Sequence, residues 1–300
     1  MAAAASQQPQ KTAAAPVAKP AAGPGFKPDV ATLFGIALAF TGILGGLLLE
    51  KGKIQDIVQV TAAMIVLGGT FGAVLITTPL PVVIRAVASL RNVFFDRTVS
   101  PRATIEALIG YATQARKNGI VSLEMEANKI ADPFLRKALN LAVDGTDLQE
   151  LRKMMETDIA LGEQAGESEA RVWEAAGGYA PTIGIIGAVL GLIQVMKHLE
   201  DIKEVGHGIA VAFVATVYGV GSANIFFLPM GNKLRARLRA ASLLKEMTLE
   251  GVVGIVEGLN PTLIRMKLDG YDPAHGKAAK AAKGKPEAVA KGASKGKGTA

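Results

Sequence analysis

Four long stretches without charge divide the chain. Residues 30–49 and 57–76 each give 20 uncharged positions, residues 175–196 give 22 and residues 208–232 give 25. A helix needs about 20 predominantly apolar residues to cross a hydrocarbon core about 30 Å thick, so each stretch has the length of a span. The polar separators are short, EKGKIQD in the first pair and KHLEDIKEVGH in the second. The pattern therefore predicts two hydrophobic hairpins. Buried helices of a soluble bundle also show uncharged runs, but four of this length together favour a membrane protein.

Between the hairpins, residues 77–174 carry 12 basic and 14 acidic side chains, and this polar mass reads as helical. Asp132-Pro133 is a helix start, because proline is tolerated at the first helical position, and Asp144-Gly145 is a stop. Thr146 followed by Gln149 fits a capping box for a helix that can run on into the third span. Asn118-Gly119 supplies a C-cap with positive φ, and Ser122 can then cap a helix with Glu124 and Glu126 in its first turn. No strand alternation of useful length appears. After the fourth span, KEMTLEGVVGIVEGLNP reads as one more helix, ended by Gly258 and Asn260-Pro261.

Composition agrees with the membrane reading. Half of the residues are hydrophobic, and the mean hydropathy is +0.31. There is no cysteine, and three scattered histidines (His198, His207, His275) cannot form a zinc cluster, so thiol and metal chemistry drop out. The net charge of +7 is local, since 14 of the 33 basic residues lie beyond residue 232, many in an Ala/Gly/Lys tail, and no nucleic-acid groove is implied. Lys and Arg close to the helix ends number ten on the side that holds both termini and four in the short loops. That bias places the termini and the large loop in the cytoplasm. The expected organisation is a disordered extension over 1–28, a first hairpin over 29–78, a cytoplasmic helical domain over 79–174, a second hairpin over 175–232, C-terminal cytoplasmic helices over 233–272 and a disordered tail over 273–300. The fold class is an all-α membrane protein with four transmembrane helices in two hairpins and a helical cytoplasmic domain.

None of the four spans contains an Asp, Glu, Lys, Arg or His. Proton relays place such a group at membrane depth, so this chain alone makes a poor relay. The spans are instead rich in small residues, among them Gly184, Gly187, Gly191 and Gly219, which let helices approach closely, either within one chain or around another subunit's helix. Thr216 is the most suggestive polar residue in the fourth span, because its hydroxyl can serve a water or a carboxylate. The blander role of such a threonine is a bond to its own helix carbonyl. Pro181 and Pro229 loosen backbone hydrogen bonding near helix ends, as hinges or as ordinary boundaries. No P-loop, HExxH, GxSxG or cysteine nucleophile is present, so the chain reads as no enzyme.

With this topology in place, several ordered blocks over residues 29–271 resemble the MotA/PomA flagellar stator family, a distant relation of TolQ/ExbB. They are GILGGLLLEKG at 42–52, APTIGIIGAVLGLIQVM at 180–196, GIAVAFVATVYGVGSANIFFLP at 208–229 and KEMTLEGVVGIVEGLNPTLIRMKL at 245–268. The resemblance implies a homo-oligomeric ring, five copies in the family, around the helices of two MotB-type single-span partners that bind peptidoglycan in the bacterial inner membrane. The partner helix carries the ion-binding aspartate that these spans lack. Thr216 matches the threonine facing that aspartate, Pro181 and Pro229 match prolines of conformational coupling, and Arg116 with Glu124 match the charged pair that engages the rotor protein FliG. Read without the family, Arg116 is a solvated helix charge and Glu124 complements a helix N-terminus.

Sodium-type members carry threonines where this chain has Ala188 and Ala215, so the resemblance implies a proton as the transported ion and no cofactor. Two alternatives stay open at this point. One is a TolQ/ExbB-like energiser of envelope processes, which usually looks like a three-span chain. The other is a non-conducting membrane scaffold.

Overall fold

The computed structural model describes residues 27–96 and 100–272. The expected extension up to residue 26 and the tail from residue 273 lie outside the described residues. Eight helices organise the rest: α1 (Val30–Leu49), α2 (Val60–Thr77), α3 (Leu80–Ser89), α4 (Pro101–Asn118), α5 (Pro133–Val143), α6 (Leu148–Lys197), α7 (Ile202–Val256) and α8 (Pro261–Asp269). Single-turn pieces at Arg91–Phe94 and Glu124–Ala127 join them. Among the described residues the strand pairing is a two-residue antiparallel bridge, Lys27–Pro28 against Phe95–Asp96. Four helices, α1, α2, α6 and α7, are long and apolar enough to cross a membrane.

Most predicted boundaries hold, and their caps explain why. The Asp132 carboxylate accepts the Phe134 amide at 3.0 Å with Pro133 in the first turn, and Gly145 at φ +73° closes α5. Gly119 ends α4 at φ +80°. Two caps differ from expectation. Asp147, not Thr146, caps α6, accepting the amides of Gln149 at 2.9 Å and Glu150 at 3.3 Å. A carboxylate next to a helix N-terminus is the stronger acceptor and wins over the neighbouring hydroxyl. Ser122 caps nothing; its hydroxyl donates to the Gly119 carbonyl at 2.7 Å within a 3₁₀ turn, Ile120–Leu123.

The third and fourth spans belong to much longer rods. Helix α6 has 50 residues and α7 has 55, about 75 and 82 Å at 1.5 Å per residue, against a hydrocarbon core of about 30 Å. The expected separate helix after the fourth span is absent, because KLRARLR, made largely of good helix formers, keeps α7 unbroken. A π-helical turn, Ser222–Phe227, interrupts the regular ladder just before Pro229. A second π turn, Met64–Gly68, lies in α2.

The polar domain has its own core. Leu108, Leu123, Leu139, Leu151, Met155, Met247, Val252 and Leu268 are all buried together, joining α4, α5, α8 and the membrane-distal parts of α6 and α7. Nearer the spans a second cluster forms around Trp173 and Phe227, whose rings stack at 6.2 Å. The Trp173 indole donates to the Ala86 carbonyl at 3.1 Å and so fastens α3 beneath α6. Helix α1, by contrast, buries none of its residues in this chain.

Candidate functional site

Helices α6 and α7 cross backbone to backbone through glycines. A Cβ on Gly191 would stand 2.8 Å from both the Ala212 nitrogen and the Gly208 carbonyl oxygen, and one on Gly187 would stand 2.8 Å from the Ala215 Cβ. A Cβ on Gly184 would stand 3.1 Å from the Gly219 Cα, and one on Gly219 would stand 3.0 Å from the Gly184 Cα. The small residues of the third and fourth spans therefore pack first within one chain. Gly208 completes this seam, and it was not singled out from the sequence because it sits at the polar edge of the fourth hydrophobic run.

On either side of the seam the three candidate ion-path positions separate. Ala215 is wholly buried against Gly187, in a cluster with Ala62, Val66 and Val214. Ala188 and Thr216 are half-buried. Thr216, with Val217, Val220 and Gly221, lines an open apolar recess of about 370 Å³. Its hydroxyl donates to the Ala212 carbonyl at 3.2 Å. That bond uses the only proton Thr216 has, so the oxygen can still accept but has no second proton to give. In an apolar recess this arrangement suits a protonated carboxyl, which donates, better than a carboxylate, which needs donors.

Pro181 lies inside α6 and Pro229 inside α7, so neither marks a helix end. Each lacks an amide proton, which leaves the carbonyls of Gly177 and Ile225, four residues earlier, without their usual α-helical donor. In α7 the π turn directly before Pro229 takes up the misfit. The two weak points touch: a Cβ on Gly177 would stand 2.5 Å from the Leu228 side chain, next to Pro229.

Tyr218 is a residue that hydropathy did not single out. Its hydroxyl donates to the Ile57 carbonyl at 2.6 Å and accepts the Gln59 amide at 3.2 Å, tying the start of α2 to α7 two residues beyond Thr216. A tyrosine in an uncharged run looks like ordinary apolar filling until the partner backbone is known. At the other end of the spans Arg235 and Glu174 form an ion pair at 2.6 Å. Asp29, which caps α1, meets Lys233 and Arg237 at 2.6 Å each. The hydrogen bond from Lys233, together with the Thr32 amide, holds the Asp29 carboxyl well below the usual carboxylate range.

Arg116 and Glu124 are exposed at the edge of the polar domain, and neither has an ion pair among the described residues. Gln114 Nε2 donates to the Ser122 carbonyl at 3.0 Å, which pins the end of α4 to the turn that carries Glu124. Buried Leu123 and Ala127 anchor the inner face of that turn. Among the described residues no group of three or more His, Cys, Asp or Glu could hold a metal ion.

Residues 126–247 match the MotA/TolQ/ExbB proton channel family, and residues 33–119 match the motility protein A N-terminal family. Motility protein A of Bacillus subtilis is 35% identical over 250 residues, 82% of this chain and 92% of that protein. The structure of C. jejuni MotAB superposes with a TM-score of 0.77 at 32% identity, covering 81% of this chain and 95% of that one. The flagellar MotAB stator complex from Bacillus subtilis gives 0.75 at 34% identity, covering 83% and 98%. The chain belongs to the MotA/PomA branch of the MotA/TolQ/ExbB proton channel family.

Proposed function

We propose that this chain is the ring-forming subunit of a flagellar motor stator, which with a MotB-type single-span partner forms a proton channel and converts proton flow into torque on the rotor. The observation that carries this reading is Thr216, a hydroxyl on a half-buried face of two spans without charged side chains, with its proton already committed to Ala212. The missing ionisable group comes from the partner, whose carboxyl sits beside Thr216 within a ring of several copies, five by family resemblance.

The chemistry follows from that hydroxyl. A protonated partner carboxyl donates to Thr216 and is neutral, so it is tolerated in the apolar recess. Once it loses the proton to the cytoplasm, the carboxylate lacks a donor there and the site no longer favours it. The ring then moves relative to the partner until another site is engaged, a shift driven by the differential affinity of the two protonation states. Because α6 and α7 run unbroken from the recess into the polar domain, bending at Pro181 and Pro229 reaches Arg116 and Glu124, which meet charges on FliG. The ion is cargo; no cofactor and no enzymatic step belong to this chain. It sits in the inner membrane with both termini cytoplasmic.

The test is proton influx, read by a pH-sensitive fluorophore in cells that express this chain with the single-span protein encoded beside its gene, after removal of any plug segment on that partner. Influx should appear only with the assembled pair. Thr216→Val should slow it about tenfold, the value of one hydrogen bond of about 1.4 kcal/mol, while Thr216→Ser keeps it. A correctly assembled complex without influx would favour a scaffold, and influx or rotation that follows sodium at fixed proton-motive force would overturn the proton assignment.

A further inference from the structure

Between α1 and α7 lies a cavity of about 310 Å³, at the small end of the range of ligand pockets. Gly35, Ile36 and Ala39 form one wall, and Ile225, Pro229 and Met230 form the other. Nothing stands within 4 Å of where a side chain on Gly35 would begin, so the two helices do not close on each other there. Both ends are built. At the polar-domain end Lys233 lines the cavity and is held by Asp29, which also takes Arg237; one carboxylate against two cations leaves one positive charge. Arg237 donates in turn to the carbonyls of Asn92 and Phe95, and the neighbouring Arg91 is exposed. At the deep end the rings of Phe40 and Phe226 bridge the two helices at 5.7 Å. From Asp29 to Phe40 helix α1 rises about 16 Å, which matches one leaflet of a hydrocarbon core about 30 Å thick.

We propose that this cavity holds one acyl chain of an anionic phospholipid from the leaflet on the polar-domain side, with the phosphate at Lys233. The shape has the amphipathy of that ligand: apolar along a leaflet's depth and cationic at the surface end. An unfilled gap would forfeit dispersion contacts along both walls, and in a membrane the available filling is hydrocarbon. The α1 side is open to it, since α1 has a mean hydropathy of 2.1 and no residue of its window is buried. The bound chain braces α1 against Ile225 and Pro229, the carbonyl and the proline of the α7 weak point. The lipid is thus a structural part of the hinge and not only its solvent.

The experiment reconstitutes the full complex of this chain and its partner in vesicles that contain phosphatidylglycerol with a photoactivatable acyl chain, and maps adducts by peptide mass spectrometry. Adducts are expected on Ile36, Ile225 and Met230 as well as on lipid-facing Phe34 and Leu38. Filling the cavity by Gly35→Leu with Ala39→Leu should lower the first set about tenfold, equivalent to about 1.4 kcal/mol, and leave the second set unchanged. Unlabelled phosphatidylglycerol should compete for the first set better than phosphatidylcholine does. Adducts on Ile225 and Met230 that ignore both the filling and the headgroup would overturn the proposal. The chain has no cysteine, so a single Ile36→Cys provides a second arm in an otherwise native complex. Efficient cross-linking of two copies through that position would overturn it too, because a second copy would then occupy the groove.

Discussion

Gly184 of α6 and Gly219 of α7 meet backbone to backbone. A Cβ on Gly184 would stand 2.9 Å from the Ala215 carbonyl oxygen and one on Gly219 would stand 2.5 Å from that of Ala180. The obstacles are main-chain atoms of two packed helices, which cannot step aside as a flexible side chain does. Gly219→Ala should therefore destabilise the detergent-solubilised complex by about 1–3 kcal/mol, the usual cost of overpacking, read as a fall in melting temperature. Gly42→Ala is the matched control, since nothing lies within 4 Å of its Cβ position. Equal melting temperatures for the two variants would refute the close crossing.

Arg116 and Glu124 stand exposed on segments that Gln114 and Leu123 hold in place. Within the chain Arg116 complements only the last turn of α4 and Glu124 only the first turn of its short helix, so reversing either should cost no more than about 1 kcal/mol of stability. Exposed ion pairs are worth about 0–1 kcal/mol, so a single reversal should lower torque without abolishing it. Rotation of tethered cells measures torque, and proton influx measures conduction, which should not change. A compensating reversal on the rotor should restore part of the torque. Loss of protein level in step with torque would mean that these charges stabilise the fold instead.

Glu250 lies between Arg152 at 2.7 Å and Lys267 at 2.5 Å and joins α6, α7 and α8 in the polar domain. Burial pushes its pKa up, but the hydrogen bonds from Lys267 and Arg152 outweigh this and hold it below its ordinary 4.5. A carboxyl with a depressed folded pKa stabilises fully above its unfolded value and loses that contribution as pH falls through the folded one. Glu250→Gln should thus cost about 1.5–3 kcal/mol at pH 7, typical of hydrogen bonds to a charged group. The gap from the parent should narrow steadily below pH 4.5. Melting temperatures of both proteins across that range decide it, and a gap independent of pH would show that the charge of Glu250 contributes nothing.

The spans and the caps at Asp132 and Gly145 were legible because each depends on local chemistry: run length, a carboxylate at a helix start, a residue with positive φ. The rods were only half legible. Helix α6 runs from Asp147 through Pro181, its one proline, to Lys197, as a polar-domain helix continuing into the third span requires. In α7, however, Pro229 and the charge run after it looked like an end, and only the π turn at Ser222–Phe227 shows how the helix continues. For the site, the side of the helix that a residue occupies was hidden. Ala215 and Thr216 are neighbours in sequence, yet a 100° turn sends one into the seam with Gly187 and the other to the open recess. Contacts from a side chain to a distant backbone, such as the Tyr218 hydroxyl with Ile57 and Gln59, leave no local trace at all.

The π turn makes the last prediction, because it separates a hinge from an ordinary helix boundary. Pro229 sits within a continuous α7, and the turn immediately before it absorbs the missing amide and the ring's clash with the preceding turn. Pro229→Ala restores the amide, so the Ile225 carbonyl regains an α-helical donor and residues 222–228 can close into a regular ladder. Gaining one satisfied hydrogen bond and removing the proline should stabilise this stretch by about 1–3 kcal/mol. Hydrogen exchange at the amides of residues 222–228 should then slow by about ten- to a hundredfold in the reconstituted complex. If bending here couples the recess to the polar domain, the stiffened variant should assemble normally, keep proton binding at the recess and lose most of its torque. Motility on soft agar reports the loss, and copurification with the partner reports assembly. Slower exchange with full torque would show that α7 turns as a rigid rod, and unchanged exchange would show that the π turn is held by its neighbours Trp173 and Phe71, which pack on Phe227, rather than by the proline.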